Sequence, residues 1–295
     1  IILLFIFVKR PSDYLIYAAI TVLASVGSNF LNFVHARSFI HIRLTLNTRW
    51  KYHLKPILTI FASSVAVTIY VYSDNTILGL MKNDYAVGIY STSVKIYQIA
   101  QSLLSAVLTV TIPRLAMLWG QRRRREYNDV LTRVINTLGV LVLPASVGLL
   151  MLSREVVLII AGPKFLPSVN SLRIITWAII FSIFSWIFSD CVLIPAKREK
   201  RVLQNTLITA VINIVLNFIL IPTMSYDGTS LSTVLAELSV MIMNGYSCKD
   251  IIKPIIFKKE TLKNLLESII GCIGIVIVCL LCQWGWDSMT WKTVF

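Results

Sequence analysis

The sequence repeats one pattern along its length: a run of about twenty apolar residues, a short polar loop, then another such run. Runs lie near 14–34, 56–81, 87–112, 131–152, 170–194, 202–222, 229–247 and 264–283, after a shorter apolar stretch at 1–8. A helix rises about 1.5 Å per residue, so each run matches the roughly 30 Å of hydrocarbon in a bilayer. Lipid offers no water to backbone N–H and C=O groups, and a continuous helix satisfies them within the segment. The pattern predicts an all-α integral membrane protein, a polytopic helix bundle. Composition has the same meaning. A chain that is 56% hydrophobic and 14% charged, with a mean hydropathy of +0.76, has too little polar surface for a soluble domain.

Charge orders the loops. Loops 35–55, 113–133, 195–201 and 248–263 carry 20 of the 28 Lys and Arg, whereas loops 8–13, 73–90, 153–173, 221–232 and 283–295 carry 7. Positive residues are retained on the inner side, so the first set is expected in the cytoplasm. The net charge of +14 sits in these loops and forms no basic face, which excludes nucleic acid as a partner. Loop 35–55 joins Phe39, Ile40, Ile42, Leu44 and Leu46 to Arg37, Arg43, Arg49, Lys51 and Lys55 without an acid. This basic amphipathic segment suits the inner leaflet and divides two bundles. The chain opens at Ile1 inside an apolar run and stops after a polar, aromatic-rich stretch, so it reads as a piece of a longer protein.

No P-loop, nucleophile elbow or HExxH occurs, and the chain is read as a non-enzyme without cofactor or metal. Cysteines 191, 248, 272, 279 and 282 read as small apolar core residues, Cys279 and Cys282 included, and Trp177 and Trp186 as packing.

Polar residues recur on helical faces instead. Ser91, Lys95, Gln98, Ser102, Ser105 and Thr109 are spaced 4, 3, 4, 3 and 4, and Asn205, Thr209, Asn213 and Asn217 every four. Such stripes either bind helices together or line a polar cavity. Four charges fall in or beside apolar runs: Asp74, Lys95, Asp190 and Glu237. Intramembrane charges are costly and normally face a bundle interior or a wet cavity. Asp74 lies nine residues before Asn83 and Lys95 twelve after it. In a helical hairpin their depths differ by about 5 Å, so they either pair or serve separately. In the second case Lys95 meets an anionic ligand, and Asp74 serves as its counter-charge or as a proton or cation site. Arg114, just after Pro113, is a candidate for holding phosphate.

Ser73-Asp74-Asn75, Ile77-Leu78-Gly79, Val87-Gly88-Ile89-Tyr90 and Lys95 resemble the hairpin of bacterial polysaccharide (O-antigen, Wzx-type) flippases. Pro113-Arg114, Gly162-Pro163-Lys164-Phe165, and Asn213 to Asn217 leading to Ile221-Pro222 and Gly228 extend the resemblance over nearly the whole chain. Thr229-Ser230 departs from it, since many relatives have a small alanine after the glycine; this puts close helix packing there in doubt, not the family. The resemblance implies the multidrug/oligosaccharidyl-lipid/polysaccharide exporter fold, two six-helix lobes around a central cavity. On that template, residues 1–34 are the last two helices of the first lobe and 35–55 the cytoplasmic linker. Residues 56–247 are the second six-helix lobe, and 248–295 a cytoplasmic loop and an additional transmembrane helix.

The implied function is to flip undecaprenyl-diphosphate-linked oligosaccharide across the bacterial cytoplasmic membrane. Polysaccharide polymerase and chain-length proteins are the implied protein partners. Translocation candidates are Asp74, Lys95, Gln98, Arg114, Asn213, Asn217 and Glu237. The alternatives are a lipid II flippase or a cation-coupled multidrug antiporter of the same fold. A membrane-embedded glycan polymerase is disfavoured by the short outward loops.

Overall fold

The computed structural model describes residues 13–39, 72–256 and 259–292, with isolated positions 7, 50, 54, 58, 61 and 65. The apolar stretch 1–8, most of the linker 35–55 and the first part of the run 56–81 lie outside the described residues. The chain divides into two compact units, Ile1–Leu58 and Thr59–Phe295. The first contains α1 (Tyr14–Phe39), most of whose described large apolar side chains are exposed.

The second unit is helical among its described residues. It runs α2 (described over 72–81), α3 (Asp84–Gly120), α4 (Arg124–Met151), the short α5 (Ser153–Ile160) and α6 (Ser168–Trp186). A π-helical turn at Ile187–Leu193, α7 (Glu199–Ser247), α8 (Lys249–Ile256) and α9 (Lys259–Lys292) follow. Six of the described helices are long and apolar enough to cross a membrane. Expected loops shrink to helix ends. Residues 113–133 were expected as loop, yet α3 continues through Pro113, and only Gln121–Arg123 break it from α4. Hydropathy marks where lipid ends, and a helix can extend into water beyond that point.

α7 is two helices joined at Ser225, whose backbone lies in the left-handed region (φ 53°). Asn205 Nδ2 donates to Asn244 Oδ1 at 2.8 Å, and Ser232 Oγ to Asn217 Oδ1 at 2.6 Å. Both pairs are symmetric about the Ser225 region, so the arms run antiparallel. They correspond to the separate runs expected at 202–222 and 229–247. The arms close tightly at Gly228, where a Cβ would stand 2.5 Å from the Leu220 carbonyl oxygen. Thr229 and Ser230 are fully buried beside it, so the helices pack closely there despite the departure from the family pattern.

Apolar side chains gain little from leaving lipid for one another, so close approach and hydrogen bonds hold such a bundle. Its interfaces are accordingly rich in small polar residues. Ser93 Oγ donates to the Ser168 carbonyl at 3.0 Å, Ser171 and Ser230 share a 2.5 Å hydrogen bond, and Asn244 Nδ2 donates to Ser185 Oγ at 3.0 Å. Between them pack the fully buried Leu78, Leu131, Leu138, Leu172, Ile175, Ile179 and Ile183. Two expectations of burial fail. Trp177 is 49% exposed on the outer surface, and on α9 Cys279 is half-buried and Cys282 exposed, while Cys191 and Cys248 are buried.

Cross-links sort the turns into two ends. Lys82 Nζ donates to the Pro222 carbonyl at 3.0 Å and Asn170 Nδ2 to Asp227 Oδ2 at 2.6 Å, which gathers the α2–α3 tip, the α5–α6 connection and the Ser225 corner. At the other end, Tyr127 Oη donates to the Cys191 carbonyl at 2.8 Å, and Arg198 bonds the Ser247 carbonyl and Asp250. The Arg-rich turn after α3, residues 194–198 and the start of α8 therefore share one end, the one carrying most of the basic residues.

Candidate functional site

The α2–α3 hairpin turns at Lys82-Asn83, where Asn83 Oδ1 accepts from the Ala86 N–H at 2.9 Å and caps α3. Residues equally far from the tip then face each other. Ser91 Oγ donates to Asn75 Oδ1 at 3.2 Å, and Tyr90 Oη to Asp74 Oδ2 at 2.8 Å. Asp74 is 6% exposed and takes two further hydrogen bonds from the arms of α7. Asn217 Nδ2 donates to Oδ1 at 2.6 Å, and Thr233 Oγ1 lies 2.8 Å from Oδ2. Asn217 is itself held by Ser232, and its amide nitrogen also lies 3.2 Å from Asn213 Oδ1. All three donors to Asp74 are neutral. An ionised carboxylate only accepts, and these donors meet both its oxygens.

Asp74 stands on the wall of a cavity of about 370 Å³ between α3, α6, the π-turn and both arms of α7. Tyr90, Tyr97, Gln98, Gln101, Thr206, Thr209, Asn244, Asp190 and Glu237 also line it. Gln101 Nε2 donates to Tyr97 Oη and to Ser182 Oγ, both at 2.8 Å, which fixes the α3 side of the chamber. Three carboxylates and no Lys or Arg occur among the described lining residues.

The structure thus brings together five of the seven expected residues: Asp74, Asn213 and Asn217 in one hydrogen-bonded cluster, with Gln98 and Glu237 on the same cavity. Lys95 and Arg114 are elsewhere, on exposed positions of α3. Asp74 and Lys95 do not pair; the ion pairs among the described residues are Arg123–Glu126, Arg198–Asp250 and Lys263–Glu267. In the Lys95 stripe, Ser102, Ser105 and Thr109 donate to carbonyls of their own helix. α3 therefore has two polar faces, an inward one with Tyr90 and Tyr97 and an exposed one with Lys95. Sequence reasoning missed Tyr90 and Thr233 as partners of Asp74. Counting back from the tip marks Tyr90, which lies as far beyond it as Asp74 lies before it. Nothing local marks Thr233.

Membrane-length helices around a polar, acid-lined cavity define a polytopic helical membrane protein. The comparison with known sequences narrows this class. The chain belongs to the polysaccharide biosynthesis protein family, whose model matches residues 11–170, more than half of its length. It is 28% identical over 202 residues to the lipid II flippase MurJ of Bacillus subtilis, covering 64% of this chain and 35% of the relative. It is 23% identical over 252 residues to a Shigella dysenteriae protein that carries the name O-antigen transporter, covering 82% of this chain and 61% of the relative. A solved structure of the lipid II flippase MurJ in an inward closed conformation superposes with a TM-score of 0.59 at 17% identity, covering 91% of this chain and 61% of that one. That likeness establishes the fold, and the chain spans only part of these relatives' length.

Proposed function

We propose that this chain supplies the second lobe, residues 56–247, of a flippase that carries an undecaprenyl-diphosphate-linked oligosaccharide from the inner to the outer face of the cytoplasmic membrane. The observation that carries the reading is a buried Asp74, held only by neutral donors on the wall of an internal cavity, in a member of the polysaccharide biosynthesis family. The cavity and the exposed face of α3 divide the work. Three carboxylates repel a diphosphate, so the glycan lipid does not enter the internal cavity. The exposed face of α3, with Lys95 and Arg114, is the surface that meets the diphosphate, while its hydroxyls meet sugar. The internal cavity serves coupling: Asp74 and Glu237 bind a proton or cation whose gradient drives alternating access of the two lobes. The basic end faces the cytoplasm on this reading.

The test is transport of the lipid-linked glycan in vesicles with the proton and sodium gradients set independently. Asp74→Asn and Glu237→Gln are expected to remove the dependence on the gradient. Equal transport by wild type and both variants at every gradient would end the coupling assignment. A second reading, flipping of lipid II, is favoured by the 28% identity to the Bacillus subtilis protein. Rescue of cells depleted of their lipid II flippase separates the two.

A further inference from the structure

Thr209 is 2% exposed, and its Oγ1 has no hydrogen-bond partner although it lines the internal cavity. A buried hydroxyl without a partner is costly, so such groups are rare and ask for an occupant. Its neighbour Thr206 shows the ordinary alternative, donating to the Val202 carbonyl one turn back at 2.9 Å. The register of the α7 arms fixes the level of Thr209. Asn205 faces Asn244 and Asn217 faces Ser232, so Thr209 is level with Val240, and Glu237 lies within about one turn of it. Both line the same chamber, with Asn244 and Asp190. Asp190 rises from the π-helical turn and also lines a second cavity beside Arg122, Arg124 and Lys197, so it stands on the partition between the chamber and the basic end. π-turns of this kind are frequent at functional sites.

We propose that Thr209 and Glu237, with Asp190 at the partition, form a second cation station, one to two turns from the Asp74 cluster toward the basic end, that takes a small monovalent cation. The hydroxyl oxygen and the carboxylate are hard oxygen donors of the kind such ions take. The chamber has room for about a dozen waters at about 30 Å³ each, so the ion keeps part of its hydration. The station rests on the reading of this cavity as the coupling site and gives it two positions in series, with Asp74 the deeper one.

The test is the thermal stability of the purified full-length protein in sodium chloride against choline chloride at equal ionic strength. Sodium is expected to raise the wild-type midpoint by roughly 2–4 °C. Thr209→Val removes only the hydroxyl. In choline its midpoint should equal or exceed wild type, because an unpartnered polar group is gone, while most of the sodium-dependent rise should vanish. A merely structural threonine predicts no such crossing. Glu237→Gln should lose the rise as well, and Asp74→Asn should keep part of it. The proposal is overturned if sodium does not move the wild type, if Thr209→Val keeps the full rise, or if Asp74→Asn removes it entirely. Gradient-independent transport together with a rise lost in Thr209→Val would instead discard the coupling reading and leave the station standing.

Discussion

Tyr90 donates its hydroxyl to Asp74 at 2.8 Å across the tip of the α2–α3 hairpin, and both residues are buried. The bond ties two helices of the bundle to the charge that the arms of α7 also grip. A hydrogen bond to a charged group contributes about 1.5–3 kcal/mol. Tyr90→Phe keeps the ring and removes the donor, so it should lower stability by about that amount. Thermal unfolding in detergent reads the loss, and an unchanged midpoint would mean that Asn217 and Thr233 suffice.

Gly228 is the point of closest approach within α7. A methyl group there would meet the Leu220 carbonyl oxygen at 2.5 Å and its carbon at 2.8 Å, both backbone atoms that no rotamer can move aside. Gly228→Ala should destabilise by about 2–4 kcal/mol. Size-exclusion chromatography of the tagged protein should show a smaller folded peak. Gly139→Ala, with nothing within 4 Å of the added carbon, is the neutral control.

Arg198 bonds Asp250 through both guanidinium nitrogens at 2.8 and 2.7 Å at the basic end, which holds the Asp250 carboxyl below its ordinary 3.8. A carboxyl lowered in the folded state adds stability that is fully present above the unfolded value and lost as pH falls through the folded one. Both side chains are partly exposed, so the pair is worth about 0.2–1 kcal/mol. Asp250→Asn should be less stable than wild type by that amount at neutral pH. The gap should close below pH 3.8 and narrow in high salt.

Lys95 occupies an exposed position of α3, outside the lining of the acidic chamber and one turn from Gln98 on its rim. If that position meets the diphosphate, Lys95→Ala should cut glycan export about tenfold while the protein stays inserted, because a charge-assisted contact is worth at least about 1.4 kcal/mol. Surface polysaccharide and membrane-fraction immunoblots are the measurements. Full export would make Lys95 a residue that merely reaches the membrane surface.

Much of the site was legible from residue spacing. Asn205, Thr209, Asn213 and Asn217 recur every four residues, and the structure buries all four on one side of α7. Asp74 and Glu237 stood out because charge is rare in lipid. Lys95 stood out for the same reason, yet it shares no cavity with Asp74. Periodicity reports which residues share a face, not whether that face turns inward, and α3 carries polar residues on two.

Sequence alone determined what is set by the cost of transfer into lipid: helices of membrane length, and the grouping of the basic loops 113–133, 195–201 and 248–263 that the tertiary cross-links place at one end. Those follow because each segment must satisfy its own backbone and each charge must find water or a partner. Tertiary structure decided which partners. Asp74 depends on Tyr90 from the next helix and on Asn217 and Thr233, more than 140 residues along the chain. That choice turns on the corner at Ser225 and the close approach at Gly228, which set the register of the α7 arms. Register is a property of packed pairs of helices, and no single helix encodes it.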